Sequence, residues 1–242
     1  MAENLLLASL PENERERLDP FLVEEQLPIG KILIEPNEPI QNLYFPFDCI
    51  TSTVQQMSDG TSVETGLMGV EGLVGIQLWL RSPRTSTTTL VQVAGTARRM
   101  RSEDFIAEVM NNPGTVLNAL IAKYVHAFMS MTSVTAACNR IHRVEQRMCR
   151  WLKMVQNRLS RDEFAITQDF MAQMLGVSRP SVSITANILK AAGLIEYSRG
   201  NLRIVDSDGL RDGACECLGI IEHTVDQIFN QSWRGLAEEE QT

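Results

Sequence analysis

Histidine is scarce in this chain of 242 residues, and its placement says more than its number. His126, His142 and His223 all fall in the second half. A metal-dependent enzyme built on strands in the first half needs two or three histidines there, and a hydrolytic triad needs one. Neither class finds its residues, so no catalytic site is expected. Cysteine is sparse as well: Cys49, Cys138, Cys149, Cys215 and Cys217. An odd number in a chain this long does not read as a disulfide framework. Only Cys215 and Cys217 stand close together, and their C-x-C spacing lacks the second pair that a zinc site wants. Free, packed thiols are therefore expected, with no metal and no cofactor. Long apolar runs are missing too. The longest nearly unbroken one, Gly72 to Leu80, is far short of the roughly 20 residues that span a bilayer. No basic segment precedes an apolar run at Met1-Ala2-Glu3-Asn4, so no secretory signal is visible and a cytoplasmic location is expected.

What the chain has is the balance of an ordinary globular protein, 44% apolar and 21% charged. That excludes a disordered chain, a fibrous repeat and a coiled-coil rod. The length suits one or two domains. The net charge of −8 is unevenly spread. Residues 1–138 hold 9 basic and 16 acidic side chains, residues 139–205 hold 11 and 5, and residues 206–242 hold 2 and 9. One basic block is thus bracketed by acidic segments, which is the electrostatic footprint of a nucleic-acid-binding module.

Residues 5–25 read as helical, with Pro11 at an early turn. From Leu27 onward, short apolar runs alternate with turn residues. Ile32–Ile34, Leu43–Phe45, Ile50–Val54, Val63–Leu67 and Leu90–Val93 are punctuated by Pro36, Pro39, Asp59-Gly60 and the glycine-rich Gly69–Gly75. This texture predicts an all-β roll or barrel. Near Pro113 the period changes. Leu117, Tyr124, Met131 and Cys138 are seven apart, and Ile121, Phe128 and Thr135 repeat the spacing four residues on. They define a heptad seam on a helix from about 115 to 138, about 36 Å long. Its length favours pairing with a second copy over burial against the chain's own β-domain. Arg140–Leu159 forms another helix, with Arg143, Arg147, Arg150 and Arg158 on a basic face and Val144, Met148, Trp151, Leu152 and Val155 on an apolar one.

The segment from Ile166 to Val205 carries the functional argument. Thr167 can cap a short helix that ends before Gly176, and Ala172 is small enough for a second helix to cross closely. Ser178 caps that second helix, Pro180 falls in its first turn, and Val182, Ala186 and Leu189 point to a core. Gly193 ends it. Leu194–Tyr197 and Leu202–Val205 then flank Ser198-Arg199-Gly200-Asn201, a hairpin with a basic tip. This is a winged helix-turn-helix, with Arg179, Ser183, Asn187 and Lys190 on the face away from the core.

A β-roll, a long helix and a C-terminal winged helix-turn-helix together resemble the Crp–Fnr superfamily of bacterial transcription regulators, an α+β fold. The resemblance runs from residue 5 to about 205. It is closest over Ile166–Val182, and Gly69-Val70-Glu71-Gly72-Leu73-Val74-Gly75 is similar to the glycine-rich loop of the family's effector domain. It implies a homodimer on palindromic double-stranded DNA, with RNA polymerase as a further partner if the protein activates. By resemblance Arg179 is the first base-reading arginine, suited to bidentate contact with guanine. Thr167 and Gln168 match positions that touch phosphate, and Arg199 and Arg203 of the basic wing are read from their charge as further phosphate contacts. Two departures stand out. Pro180 and Ile184 occupy positions where the best-known member carries Glu and a second Arg. The operator should therefore differ, with Ser178, Ser181, Ser183 and Asn187 beside the remaining readers.

The effector cassette matches less well. Cyclic-nucleotide-binding members hold a phosphate on backbone N–H groups after a Gly-Glu pair, with an arginine on the following turn. The candidate pocket here is Gly69, Glu71, Gly72, Gly75, Arg84 and Thr85, with the Glu–Gly order changed. Anchoring on strand Leu90–Val93 puts Thr87 where the arginine belongs, and using Arg84 needs a loop three residues longer. Cyclic AMP is therefore not expected to bind, and the effector is unknown. A cyclic-nucleotide regulator using Arg84, and an interaction module without DNA binding, are the alternatives. The N-terminal cysteine cluster of iron–sulfur members is absent, and no cysteine–histidine pair suggests a haem in the roll. The expected organisation is a sensor domain at 1–112, a dimerisation helix at 113–139, a DNA-binding domain at 140–205 and an acidic segment at 206–242. In that last segment Leu218, Ile221, Val225 and Ile228 share one face of a helix from Leu210 to Phe229, expected to pack under the wing or cover the DNA-binding domain. Glu238-Glu239-Glu240 reads as a frayed end.

Overall fold

The computed structural model describes residues 3–229. Two short helices, α1 (Leu5–Ala8) and α2 (Glu12–Leu18), lead into strands β1 (Val23–Leu27), β2 (Ile32–Ile34), β3 (Asn42–Pro46), β4 (Ile50–Gln56) and β5 (Ser62–Met68). Helix α3 (Ile76–Trp79), strands β6 (Thr88–Val93) and β7 (Gly95–Arg101), and helix α4 (Ser102–Phe105) complete the first half. The long helix α5 (Val116–Ile141) and α6 (Val144–Leu159) follow. The chain then runs through β8 (Glu163–Ala165), α7 (Gln168–Leu175), α8 (Arg179–Ala191), β9 (Ile195–Ser198), β10 (Asn201–Ile204), α9 (Ser207–Asp212) and α10 (Cys217–Phe229).

Two antiparallel sheets form the roll, in the orders β1-β7-β3 and β2-β6-β4-β5. Between them lies a core that includes Leu27, Leu43, Phe45, Ile50, Val91 and Met100. The β4–β5 hairpin turns at Ser58-Asp59-Gly60-Thr61, where Asp59 accepts from the Thr61 N–H at 2.9 Å and Gly60 takes a positive φ.

The continuous helix expected over residues 5–25 is corrected by the structure. Pro11 has no N–H to extend α1 and instead opens α2, and Val23–Leu27 leaves the helix to pair with β7. Strand β7 escapes sequence reading because it carries three arginines. Arg99 donates across the sheet to Glu25 of β1 at 2.8 Å, and Arg98 to Asp19 in the turn before β1 at 2.6 Å.

Helix α5 starts where the Glu14 carboxylate accepts from the Val116 N–H at 2.7 Å and the Leu117 N–H at 3.2 Å. Its heptad seam does not face outward. Leu117, Ile121, Tyr124, Met131 and Cys138 are buried within the chain, and Phe128 and Thr135 are half-buried. The roll and α10 take these residues up, so the reading of this seam as the face toward a second copy is overturned. A Cβ on Gly66 of β5 would meet the Phe128 ring at 2.4 Å, and one on Gly72 the Tyr124 hydroxyl at 2.6 Å. The glycines are what lets α5 lie so close to the roll.

The C-terminal segment is two helices rather than one. The apolar side of α10, including Leu218, Ile221, Val225 and Ile228, is buried, and the helix packs along α5 rather than under the wing. Glu222 ties α10 to α9 through Arg211 at 2.7 Å and to α6 through Asn157 at 2.7 Å. The tail with Glu238-Glu239-Glu240 lies outside the described residues. Among the described residues no helix is long and apolar enough to cross a membrane.

Candidate nucleic-acid interface

The helix-turn-helix is built from local sequence chemistry. Thr167 accepts from the Phe170 N–H at 3.2 Å and caps α7. Gly176 ends α7 with φ +60°, a conformation costly to a side chain with a Cβ. Ser178 caps α8, accepting from the Ser181 N–H at 3.3 Å, and Pro180 sits in the first turn where no N–H partner is needed. Val182, Thr185, Ala186 and Leu189 are buried, which turns the opposite face of α8 to solvent. Arg179, Pro180, Ile184 and Asn187 are exposed there, and Ser181 and Ser183 are half-exposed. The side chains of Ser178 and Ser181 are 2.9 Å apart and engaged with each other at the cap. Thr167 is exposed and Gln168 half-exposed at the start of α7.

The structure thus places these candidate readers along one exposed stretch of α8 and the α7 start. Arg179 Nε lies 3.5 Å from Asp169 Oδ1, and both side chains are largely in water. Such an exposed pair contributes about 1 kcal/mol or less and yields readily to a better acceptor. The wing is the sheet β8-β10-β9. Arg199 and Gly200 form its tip with φ of +50° and +84°, both positive as a tight two-residue hairpin requires. Arg199 is exposed. Arg203 faces Glu196 across the wing at 3.2 Å, which partly neutralises it.

The basic block between residues 139 and 205 is smaller at the surface than in the sequence. Arg147, Arg150 and Arg158 are buried, which corrects the solvent-facing basic side assigned to α6. Helix α6 packs against both the roll and the helix-turn-helix, so its arginines serve inside. Arg147 donates to the carbonyl of Leu175, the end of α7. Arg158 Nε donates to Glu71 Oε1 at 2.8 Å in a pair almost wholly shut off from water. Beside them, Glu64 of β5 accepts from the Ser52 hydroxyl at 2.6 Å. Burial pushes the Glu64 carboxyl up to about 7, although Ser52 and Arg150 favour its charged form.

These contacts also account for the glycine-rich loop. Gly69 leaves room for the Arg158 side chain, whose carbons would lie 2.9 Å from an added Cβ, and Gly72 leaves room for Tyr124. Gly75, with φ +95°, opens α3 against Leu43. Glu71 has its counter-charge in α6. Arg84 is exposed and turned to the carbonyl of Asn37, and the Thr85 carbonyl accepts from the Asn37 N–H at 2.7 Å. The residues proposed as one effector pocket are therefore held by two sets of partners. The loop's open space is taken by this chain's own side chains.

The β4–β5 hairpin reaches the helix-turn-helix. Gln173 of α7 donates to Ser62 Oγ at 2.7 Å, and Val63 lies against Gly176. A groove of about 710 Å³ runs beside this contact, between Thr61–Val63 and residues Asp169, Gly176 and Ser178.

Sequence reasoning missed the outward face of α5. Ala119, Ala122, His126, Met129, Ser133, Ala136 and Arg140 are exposed at alternating spacings of three and four. Met129 keeps 64% of its surface. The repeat was in the sequence, but small and polar residues do not register as an apolar seam.

Residues 146–212 match the family model described as the Crp-like helix-turn-helix domain. No curated protein matches the chain in sequence. Solved structures of similar fold include a CRP-family transcriptional regulator of Thermus thermophilus, at 15% identity and TM-score 0.64, covering 78% of this chain and 96% of that one. The c-di-GMP responsive regulator CLP of Xanthomonas campestris matches at 16% identity and TM-score 0.63, over 81% of this chain and all of that one. FixK2 of Bradyrhizobium japonicum matches at 11% identity and TM-score 0.66, over 80% and 98%. The chain has the fold of the Crp/Fnr regulators and carries their helix-turn-helix domain.

Proposed function

We propose that the protein is a transcription regulator that binds palindromic double-stranded DNA as a homodimer, with α8 in the major groove. The observation that carries this reading is the exposed face of α8, where Arg179, Ser183, Ile184 and Asn187 stand clear of the core on a Crp-like helix-turn-helix beside a basic wing tip. Arg179 suits a guanine, Asn187 an adenine, and Ile184 a thymine methyl. Arg199 would contact phosphate and fix the register without reading sequence. Pairing of two copies is assigned to the outward face of α5. Its three-and-four spacing is that of a two-stranded seam, and its alanines allow close approach. The roll would act on DNA binding through the Glu71–Arg158 pair and the hairpin contact at Gly176. Cyclic AMP is not its ligand in this reading, since Arg158 and Tyr124 occupy the space beside the glycine-rich loop. RNA polymerase is a partner only if the regulator activates.

Selection of bound sequences from a random DNA pool, followed by gel shifts on the selected site, tests the proposal. A palindromic site bound by two chains is the expected result. No enrichment of any sequence at low salt would overturn it.

A further inference from the structure

At the junction of α5 and α6, far along the chain from the glycine-rich loop, four potential metal ligands converge. Cys138, His142, Cys215 and Cys217 each offer one ligand atom, and these atoms all lie within 4.8 Å of one another. Cys138 and His142 are one helical turn apart at the end of α5, where the His142 N–H donates to the Cys138 carbonyl at 3.1 Å. Cys215 and Cys217 lie at the start of α10. The Sγ atoms of Cys138 and Cys215 are 3.5 Å apart, and Cys217 Sγ is 3.6 Å from His142 Nδ1. The three cysteines are buried as a small cluster separate from the main core, with Val134 packed against it.

We propose that these four side chains bind a single zinc-type divalent ion in a tetrahedral Cys3His site, which clamps the start of α10 to the end of α5. The spacing fits one ion. With metal–sulfur bonds of about 2.3 Å, the edge of a tetrahedron is about 3.8 Å, which the observed separations bracket. An iron–sulfur cluster bonds its cysteines to different irons and needs them wider apart. The imidazole is already oriented. His142 Nε2 lies 3.1 Å from a carboxylate oxygen of Glu216, which holds the proton on Nε2 and leaves the Nδ1 lone pair facing Cys217. The C-terminal end of α5 adds the negative end of a helix dipole. Four protein ligands leave no open position, which is the mark of a structural rather than a catalytic site. On binding, the three thiols each release a proton to solvent and the metal takes the three thiolates and the imidazole. This assignment replaces the expectation that Cys215 and Cys217 are idle.

The test is the metal content of the full chain, purified under reducing conditions without chelator and measured by mass spectrometry of the elements. About one zinc per chain is expected in the wild type and in Cys49→Ser, whose thiol lies in the roll. Near-total loss is expected in Cys217→Ser and in His142→Ala. Wild-type content in both variants would overturn the site. So would wild-type protein that neither retains nor takes up one equivalent of zinc, including protein in which Cys138 and Cys215 prove joined as a disulfide. Should the variants fail to fold, cobalt(II) added to metal-free wild type decides. Intense tetrahedral bands with thiolate charge transfer support the site, and a pale octahedral spectrum refutes it.

Discussion

Glu71 in the roll and Arg158 in α6 form an ion pair at 2.8 Å, and their side chains retain 0% and 1% of their solvent exposure. The pair joins the glycine-rich loop to the helix that packs on the helix-turn-helix. Removing one partner leaves the other charged and buried. Arg158→Met and Glu71→Leu should each destabilise the protein by about 3–5 kcal/mol, and the double variant by clearly less than their sum. Urea denaturation of the three variants checks this. Additive losses would show that the two residues act independently.

Glu64 gives the protein a pH dependence of unusual sign for a carboxylate. Its folded form keeps a proton up to about 7, while the ordinary carboxyl releases it near 4.5. Between these values the native state binds more protons than the unfolded state, so this group makes stability fall as pH rises through that window. Glu64→Gln should remove the effect, and its advantage over wild type should grow from pH 4.5 to 7, reaching on the order of 3 kcal/mol. Thermal melts of both proteins across that range measure it. A constant difference would refute the assignment.

On a selected operator, Arg179→Ala should cost about 1–3 kcal/mol and relax preference at one base pair per half-site. Arg199→Ala should weaken all sequences alike and reduce the salt slope by about 1 per wing. Gel shifts on point-substituted sites at several salt concentrations separate the two effects. An Arg179→Ala protein with unchanged affinity would show that α8 is not the reading helix.

The wild type should be a dimer in solution at micromolar concentration. Met129→Glu should shift it toward monomer by placing like charges opposite each other in the seam. Light scattering gives the masses. A dimer that survived both Met129→Glu and Ala122→Glu would move the interface off this face of α5.

Calorimetric titration with cyclic AMP should give no binding heat, in wild type and in Arg84→Ala alike. Micromolar affinity lost in Arg84→Ala would show that the α3–β6 loop and the glycine-rich loop close around a phosphate after all.

The helix-turn-helix was legible because its rules are local: caps at Thr167 and Ser178, a left-handed glycine at 176 and buried Val182 and Ala186 all lie within 20 residues. Strands β4, β5 and β6 showed for the same reason, through short apolar runs between turns. Strand β7 did not, since three of its seven residues are arginines, and the carboxylate partners of Arg98 and Arg99 are more than 70 residues away in sequence. For α5 the period was visible but its direction was not. A helix offers several stripes, and only the tertiary structure shows that Leu117, Ile121 and Tyr124 meet the roll while Ala122 and Met129 meet solvent. Arginines on α6 looked solvated because Glu71, 87 residues earlier than Arg158, cannot be paired with it by spacing. The same distance problem hid the thiol–imidazole cluster, whose two halves, Cys138 with His142 and Cys215 with Cys217, are brought together only by folding.

Helix α10 returns to lie along α5, with Lys123 Nζ reaching the Ile228 carbonyl at 3.4 Å across 105 residues of chain. This return has a consequence for the order of events during synthesis. The roll and α5 leave the ribosome first, and the flank of α5 that receives α10 stays bare until the helix-turn-helix and residues 217–229 have been made. During that interval a nascent chain presents two uncovered stripes of one helix, the outward one through Ala122 and Met129 and the future seat of α10. The arrival of α10 is the step that covers the second stripe and leaves only the outward one in water.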